Sequence, residues 1–170
     1  MDFDKVVCDR TSIRKYKTTE ISRAVLEQLV DAGRRAPSAR AVEPWEFVVI
    51  QDSSSLLGLS EIAANGSFIK DAQAAIIVFC QKTKYYLEDG CAATENILLA
   101  AAAQGIGACW IAGDKKEYAE QVGEMFKASG LLLVSIISLG IADELKAQSK
   151  KRCLADVIHW ESFKNRESSK

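Results

Sequence analysis

The amino-acid sequence predicts a layered domain in which helices cover both faces of a β-sheet. Near-continuous apolar runs occupy residues 45–50, 74–80, 106–111 and 131–140, and segments with helical spacing separate them. Strands that are buried on both faces have this composition, because neither face meets water. No repeat or linker interrupts the alternation, so the elements belong to one layered unit. The spacing leaves open whether the strands run parallel or antiparallel.

The first predicted helix starts after Ser22, which is a suitable N-cap, and its apolar residues recur at helical spacing up to Val30. We expect it to end near Arg35, because Pro37 biases the residue before it away from helical backbone angles. Residues 36–44 are therefore predicted to form a loop that leads into the first strand.

The later elements follow in order. They are a short helix at 55–64, a turn at Asn65-Gly66, the second strand, a long helix at 88–104, the third strand, a helix at 115–127 and the fourth strand. Alanines on several faces of the long helix favour a central, closely packed position.

Length and composition exclude several classes of protein. The chain has 170 residues, 48% of them hydrophobic, which suits one domain (1–170) with a core of its own. A net charge of −1 argues against nucleic-acid binding. The longest apolar runs are too short to cross a bilayer, and the N-terminus lacks the order of a signal peptide. We therefore expect a cytoplasmic protein.

Neither the five cysteines nor the single histidine predicts a catalytic or metal site. No two cysteines have the Cys-x-x-Cys spacing, which argues against a disulfide framework, a zinc ribbon or an iron–sulfur cluster. His159 is not accompanied by a nucleophile-elbow motif. We expect reduced thiols and no metal ligands.

Residues 10–16 form the most informative stretch. The guanidiniums of Arg10 and Arg14 flank two adjacent hydroxyls, those of Thr11 and Ser12. Forked charged donors beside neutral ones suit a phosphate monoester, and in an extended segment residues 10, 12 and 14 would share one face. The alternative interpretation is a solvated basic turn.

Glycines near the third strand invite a dinucleotide-binding interpretation, which fails. Gly105 and Gly107 follow a helix and precede a strand, whereas the dinucleotide loop follows a strand and opens a helix; Trp110 also occupies the third glycine position. The far end of this strand, Ile111-Ala112-Gly113, is the better candidate for a ligand-binding segment. Its small residues would let a flat ligand lie against backbone N–H groups.

Two further segments stand out. The loop from Pro37 to Trp45 contains two prolines and many small residues, more than an ordinary helix-to-strand turn requires. Lys150-Lys151-Arg152 is a basic run in a charged tail, for which a solvated charge run is the alternative interpretation.

Together these segments resemble the FMN-dependent nitroreductase family over nearly the whole chain. The matching stretches, in order, are 10–16, 36–50, 71–79, 90–105 with Glu95-Asn96, 105–113 and 150–160. The resemblance implies an α+β fold, a three-layer α/β/α sandwich with a mostly antiparallel central sheet. It also implies a homodimer that holds two FMN molecules in grooves between subunits, with a tail from about residue 143 to 170 that packs on the partner.

The resemblance also assigns individual positions. Arg10 and Arg152 would bind the FMN phosphate, with help from Lys150 or its neighbour Lys151. Ser12 and Arg14, which with Thr11 complete the first flavin-binding segment, would reach the ribityl chain and the pyrimidine edge. The remaining positions are Pro37, Ser38 and Ala39 on a loop that the partner lays against the ring, Ile111, Ala112 and Gly113 on a turn whose backbone N–H faces the ring's reactive nitrogen, and Asn65.

Two residues depart from the family pattern, and both concern the substrate. Ala41 stands where the family has Asn, and Glu43 stands where it has Gln. A carboxylate at position 43 would repel anionic substrates if it points inward. The chain is also short for the family, which predicts an open pocket without a covering helical insertion.

The function implied is an FMN-dependent oxidoreductase. It would pass electrons from NAD(P)H to nitroaromatic, quinone or similar small acceptors by a ping-pong scheme. The flavin carries the redox chemistry, so no catalytic side chain is named. The alternatives are a non-catalytic flavin carrier or sensor, and a specialised enzyme of the family such as a dehalogenase or a flavin-destroying synthase.

Overall fold

The computed structural model describes residues 2–163 of the chain. Within this range four strands form one sheet: β1 (Trp45–Ile50), β2 (Ala74–Cys80), β3 (Gly107–Ala112) and β4 (Leu132–Gly140). Five α-helices surround it: α1 (Phe3–Asp9), α2 (Arg23–Arg34), α3 (Ser53–Ile62), α4 (Tyr86–Ala103) and α5 (Ala119–Met125).

The strand order is β1-β2-β4-β3, and every neighbouring pair is antiparallel. The spacing left open whether the strands run parallel or antiparallel. The structure confirms the antiparallel sheet that the resemblance implied. β1 and β3 are the two edges of the sheet. β2 is buried along its whole length, because both of its faces are covered.

Each face of the sheet has its own hydrophobic core. Ile76 and Val78 point into the core formed with α2 and α4, whereas Ile77 and Phe79 point into the core formed with α3 and α5. Alternation along a strand explains this division, since successive side chains face opposite ways. The result is the three-layer α/β/α sandwich expected from the sequence.

The long alanine-rich helix α4 packs closely, as its composition predicted. A Cβ at Gly90 would lie 2.7 Å from Val134, so glycine lets α4 approach the sheet. A Cβ at Gly33 on α2 would lie 2.9 Å from Ile97 on α4. The Asn96 amide adds a polar tie, because it donates to the carbonyl of Ala32 over 3.0 Å. Helices α2 and α4 are therefore fixed to each other.

The strand predictions agree with the structure to within one residue at each end. Helix α5 is shorter than the predicted 115–127, because Lys115 adopts a left-handed backbone with φ 56° and an α-helix cannot continue through it. Helix α1 was not predicted. Val6 is its one buried residue, so the sequence carries no apolar stripe there.

Candidate functional site

Residues 10–16 lie along the outer edge of β3. Ser12 forms a parallel bridge with Ala108, and the Ile13 N–H donates to the carbonyl of Ala108 over 3.0 Å. Farther along, Tyr16 bridges to Ala142 beyond the end of β4. The segment is therefore extended across one end of the sheet, as the phosphate-binding interpretation requires.

Two buried side chains anchor this segment. A Cβ at Gly107 would lie 2.9 Å from Ile13, and one at Gly140 would lie 2.5 Å from the Tyr16 ring, so glycine is needed under both. The Tyr16 hydroxyl bonds to the Ile13 carbonyl over 2.6 Å and to the Ser138 hydroxyl over 2.8 Å. Burial raises the pKa of Tyr16 well above its usual value, so the phenol keeps its proton.

Cys109 of β3 follows Ala108, the residue that pairs with this segment. Burial raises the pKa of the Cys109 thiol, while the charge of Arg14, a hydrogen bond with Ser12 and the charges of Lys146 and Arg10 oppose the rise. Because side chains alternate along an extended segment, residues 10, 12 and 14 fall on the side opposite the buried Ile13.

Within residues 2–163, neither the Arg10 nor the Arg14 guanidinium forms an ion pair with a carboxylate. The Arg14 guanidinium lies 5.6 Å over the ring of Phe68, and its Nη1 is 3.4 Å from the Ser12 carbonyl oxygen. Two forked cations without an anion, on an ordered backbone, form a donor set that suits a phosphate.

A segment of the tail binds this stretch from outside. The Glu144 carboxylate accepts from the N–H of Arg14 over 2.6 Å and from that of Lys15 over 3.2 Å, and the Arg14 bond is the main reason that the pKa of Glu144 is lowered. Lys146 donates to the Ser12 carbonyl over 3.0 Å. Gln148 donates to the carbonyls of residues 7 and 10 over 2.7 and 2.8 Å.

Sequence reasoning missed these three tail residues. Glu144, Lys146 and Gln148 occur at every second position, which is the period of an extended segment with one bonding face. That alternation was a usable signal, because the tail was considered only as a charged run. We call residues 144–148 the tail clamp.

The tail clamp fixes the chain just before the predicted basic residues Lys150 and Arg152. Lys150 follows two residues after Gln148, which is bonded to Arg10, and both basic side chains are exposed. The Arg152 guanidinium donates to the carbonyl of Asp156 over 2.8 Å. Joint binding of one phosphate by Arg10, Lys150 and Arg152 stays a prediction.

The end of β3 presents one outward N–H. Gly113 points inward, since its N–H donates to the Val134 carbonyl over 3.0 Å, and a Cβ there would lie 2.5 Å from Leu133. The Ala108 carbonyl faces outward to Ile13, and backbone groups alternate along a strand, so Ala112 also faces outward. Of residues 111–113, Ala112 therefore offers its N–H to a ligand. Ile111 is buried in the core.

Two tyrosines fix this turn. The Tyr118 hydroxyl donates to the carbonyl of Ala112. The Tyr86 hydroxyl donates to Asp114 over 2.5 Å, and this bond is the main cause that raises the pKa of Tyr86 to about 12. Both contacts hold the backbone around residues 112–114, so the outward N–H of Ala112 sits on a rigid support.

Asn65 lies on a tight turn, in which the Gly66 N–H donates to the Ala63 carbonyl over 2.7 Å. Its side chain is exposed. The turn leads into a short helical segment that carries Phe68, the residue beneath the Arg14 guanidinium. Asn65 thus precedes, by three residues, a direct contact of the basic segment.

Pro37, Ser38 and Ala39 lie elsewhere in the fold. Their loop leads into β1, at one edge of the sheet, whereas Ala112 ends β3, at the other edge. Three strand spacings, roughly 14 Å, separate the two edges. The structure therefore does not bring the loop together with the basic segment within one chain.

This loop is held under backbone strain. Arg40, Ala41 and Glu43 have φ of 59°, 52° and 51°, the left-handed region that side chains disfavour. The buried Asp89 of α4 accepts from the Ala39 N–H over 2.9 Å, and the Ser38 hydroxyl accepts from the Glu43 N–H over 3.0 Å. Glu43 itself is exposed, so its predicted influence on substrates stays a prediction.

Among residues 2–163, no group of three or more His, Cys, Asp or Glu side chains is arranged to hold a metal ion. Over the same residues, no helix has both the length and the apolar character that crossing a membrane requires.

Comparisons with known proteins agree on one family. The family model described as the nitroreductase family matches residues 7–90. A protein of Archaeoglobus fulgidus, provisionally named NADH dehydrogenase/NAD(P)H nitroreductase, is 34% identical over 171 residues that cover 94% of this chain and 97% of that protein.

Two solved structures share the fold. An FMN-dependent nitroreductase of Clostridium difficile R20291 superposes with a TM-score of 0.87 at 32% identity and covers 93% of this chain and 98% of its own. A provisionally named nitroreductase of Desulfovibrio desulfuricans, solved in complex with FMN, gives a TM-score of 0.80 at 26% identity over 96% and 99% of the two chains.

Proposed function

This chain belongs to the nitroreductase family, and we propose that it is an FMN-dependent oxidoreductase that takes electrons from NAD(P)H and gives them to a small organic acceptor. One observation carries the proposal. An extended segment runs beside a strand edge that presents an outward N–H, and its two guanidiniums have no carboxylate partner among residues 2–163. A ligand with an anionic group for the guanidiniums and a flat heterocycle for the outward N–H would bind both features.

The chemistry of these donors fits FMN. Arg10 and Arg14 supply charged forked donors, and alternation along the extended segment puts the Ser12 hydroxyl on the same side. We expect Arg10 to bind the phosphate with Lys150 and Arg152 from the tail, and Ser12 and Arg14 to reach the ribityl chain and the pyrimidine edge. Thr11 and Asn65 complete this set.

The outward N–H of Ala112 would face the heterocycle. A donor fixed at this point would hold the ring in position and stabilise negative charge that develops on the ring. Gly113 keeps the turn close to β4, and Ile111 packs beneath it. Bound FMN supplies the hydride-accepting and electron-donating chemistry, and the protein supplies position and electrostatics.

The second wall of the groove would come from a partner subunit. The loop of Pro37, Ser38 and Ala39 is at the wrong edge of the sheet to reach the same ligand. We therefore propose a homodimer in which each groove combines the basic segment of one chain with this loop of the other. Exposed apolar residues of the tail, among them Leu154, Val157 and Trp160, give the dimer a surface to bury.

The tail would pack on that partner. We propose one domain, 1–170, whose tail begins near residue 143; residues 164–170 lie outside the described range. None of the five cysteines is in a disulfide. Reduced thiols are typical of the cytoplasm, where we place the protein.

The acceptors proposed are nitroaromatics, quinones and similar small molecules, which would use the face that the nicotinamide leaves. The test is anaerobic. NADH or NADPH should bleach the yellow absorbance of the purified protein, and a nitroarene added after removal of the nicotinamide product should restore it. Recovery without that product indicates one site used twice.

The alternative is a flavin carrier or sensor without turnover. If neither nicotinamide bleaches the absorbance over many minutes, while dithionite does so at once, the oxidoreductase proposal is wrong and the carrier is favoured. Light scattering at sub-micromolar concentration tests the dimer separately. It should report twice the chain mass of 18.6 kDa, and a flavin-loaded monomer would contradict the shared groove.

A further inference from the structure

A second cleft lies beside the proposed flavin groove. It has a volume of about 730 Å³ and is bounded by residues 14–16, 18 and 20, by residues 51, 53 and 56 around the start of α3, and by residues 70–73. Arg14 lines it and also belongs to the flavin-binding segment. The two sites therefore share one wall, and a ligand that extends past Arg14 could occupy both.

The inner surface of the cleft is apolar and its sides are polar. Leu56, Ala72 and Tyr16 line the cleft, are each less than a tenth exposed, and form its apolar part. Gln51 and Gln73 supply amides. The Gln51 Nε2 already donates to the Ile21 carbonyl over 2.8 Å, which fixes that side chain and leaves its oxygen as an acceptor. A heteroaromatic base with an exocyclic amino group suits such a surface, because the amino group can donate to the Gln51 oxygen.

The rim carries charges of both signs. Lys15 and Lys70 line the cleft with Arg14, and none of the three forms an ion pair within residues 2–163. Glu20 and Asp71 line it as well, also without ion pairs there. The cations suit a diphosphate, and the carboxylates can accept from sugar hydroxyls.

We propose that this cleft binds the adenosine diphosphate half of the nicotinamide dinucleotide. The proposal rests on the proposed function and extends it, because it assigns a binding site to the part of the reductant that does not react. The base would lie on Leu56, Ala72 and Tyr16, and the diphosphate would pass Lys15 and Lys70 toward Arg14. Binding energy from this remote half would hold the nicotinamide in place.

ADP-ribose tests the cleft without any redox step, because it lacks nicotinamide. Titration calorimetry on the flavin-loaded protein should show binding, and the Lys15→Ala/Lys70→Ala double variant should bind about tenfold more weakly. Lys17→Ala is the matched control. Lys17 is an exposed neighbour of Lys15 that does not line the cleft, so its affinity should equal that of wild type.

The ratio of KM for NADH to KM for a synthetic dihydronicotinamide provides the second readout. The double variant should raise KM for NADH about tenfold, but not KM for a synthetic dihydronicotinamide without adenylate. The cleft proposal is overturned if ADP-ribose does not bind, if the double variant binds it like wild type, or if both KM values rise equally. Failure of wild type to oxidise any nicotinamide would instead overturn the proposed function, and the ADP-ribose titration would still decide on the cleft.

Discussion

The two regions that we assign to the flavin groove, residues 10–16 and residues 37–43, are built in opposite ways. The first is pinned by two buried side chains, by backbone bonds to β3 and by the tail clamp. The second has an exposed proline, a valine that is 49% exposed and three non-glycine residues in left-handed backbone. One region is complete within a single chain, and the other is presented outward.

This difference indicates how a composite site is divided. Phosphate binding needs charged donors at fixed positions, which a segment bonded to its own sheet edge provides. A surface that covers the ring from a partner must project from its own chain, and such projection costs backbone strain of order 1 kcal/mol or more per left-handed residue. Asp89 offsets part of that cost by bonding the loop from beneath.

The largest predicted effect is at Arg10. Arg10→Ala removes a charge-assisted contact that contributes about 1.5–3 kcal/mol, so FMN should bind roughly 10- to 100-fold more weakly. Fluorescence titration of the apoprotein measures this. Riboflavin lacks the phosphate, so its affinity should be low and equal in wild type and variant.

Arg23→Ala is the matched control for Arg10. Arg23 is an exposed arginine on α2 that pairs with Glu27, away from the groove. The Arg23→Ala substitution should leave FMN affinity unchanged. If Arg10→Ala and Arg23→Ala behave alike, or if riboflavin binds wild type as tightly as FMN does, the phosphate is not bound by residues 10–16.

The second prediction concerns the loop. Asp89→Ala leaves the Ala39 N–H without its acceptor, which should cost about 1–3 kcal/mol of folding free energy. Trypsin should then cut faster after the exposed Arg40, as mass analysis of the fragments would show. Asp89→Asn keeps an acceptor oxygen and is the control. Equal cleavage of the two variants would show that the carboxylate does not hold the loop.

The smallest effect is expected at the tail clamp. Hydrogen bonds from Arg14 and Lys15 lower the pKa of Glu144 below its usual 4.5, so its stabilising contribution is present above pH 4.5 and is lost as pH falls through the lowered value. Wild type should have a higher Tm than Glu144→Gln at pH 7, and the difference should vanish in acid.

The exposed Glu117 provides a control for the pH dependence. Glu117→Gln should show no such change in Tm between neutral and acid pH. A Tm difference between wild type and Glu144→Gln that persists unchanged at pH 3 would mean that the charge of Glu144 does not fasten the tail.

Much of the fold could be predicted from the sequence, because apolar runs and helical spacing report burial directly. The runs at 45–50 and 74–80 became β1 and β2 with unchanged bounds. Strand direction could not be predicted from spacing, since a strand buried on both faces has the same composition either way. Helix α1 was not predicted because its single buried residue, Val6, gives no apolar periodicity.

The site was predictable where residue type alone carries the chemistry. Arginines and hydroxyls mark the 10–14 segment in sequence, and the structure shows this segment extended beside β3. The alternation of Glu144, Lys146 and Gln148 indicates an extended segment with one bonding face, but it does not identify the backbone partners, which lie 129 to 141 residues away in the chain. The outward N–H of Ala112 depends on strand alternation relative to Ala108, which residue identity does not encode.

A mixed-dimer experiment tests most directly whether each groove is shared between two chains. Arg10→Ala damages the basic segment, and Ala39→Glu places a charge on the loop; each homodimer should bind FMN weakly. In a mixed dimer one groove receives both damaged parts and the other receives neither. Random assortment should therefore restore tight FMN binding at about a quarter of all sites. If tight binding does not recover in the mixture while both chains still form dimers, the basic segment and the loop serve the same groove from one chain, and the shared site is wrong.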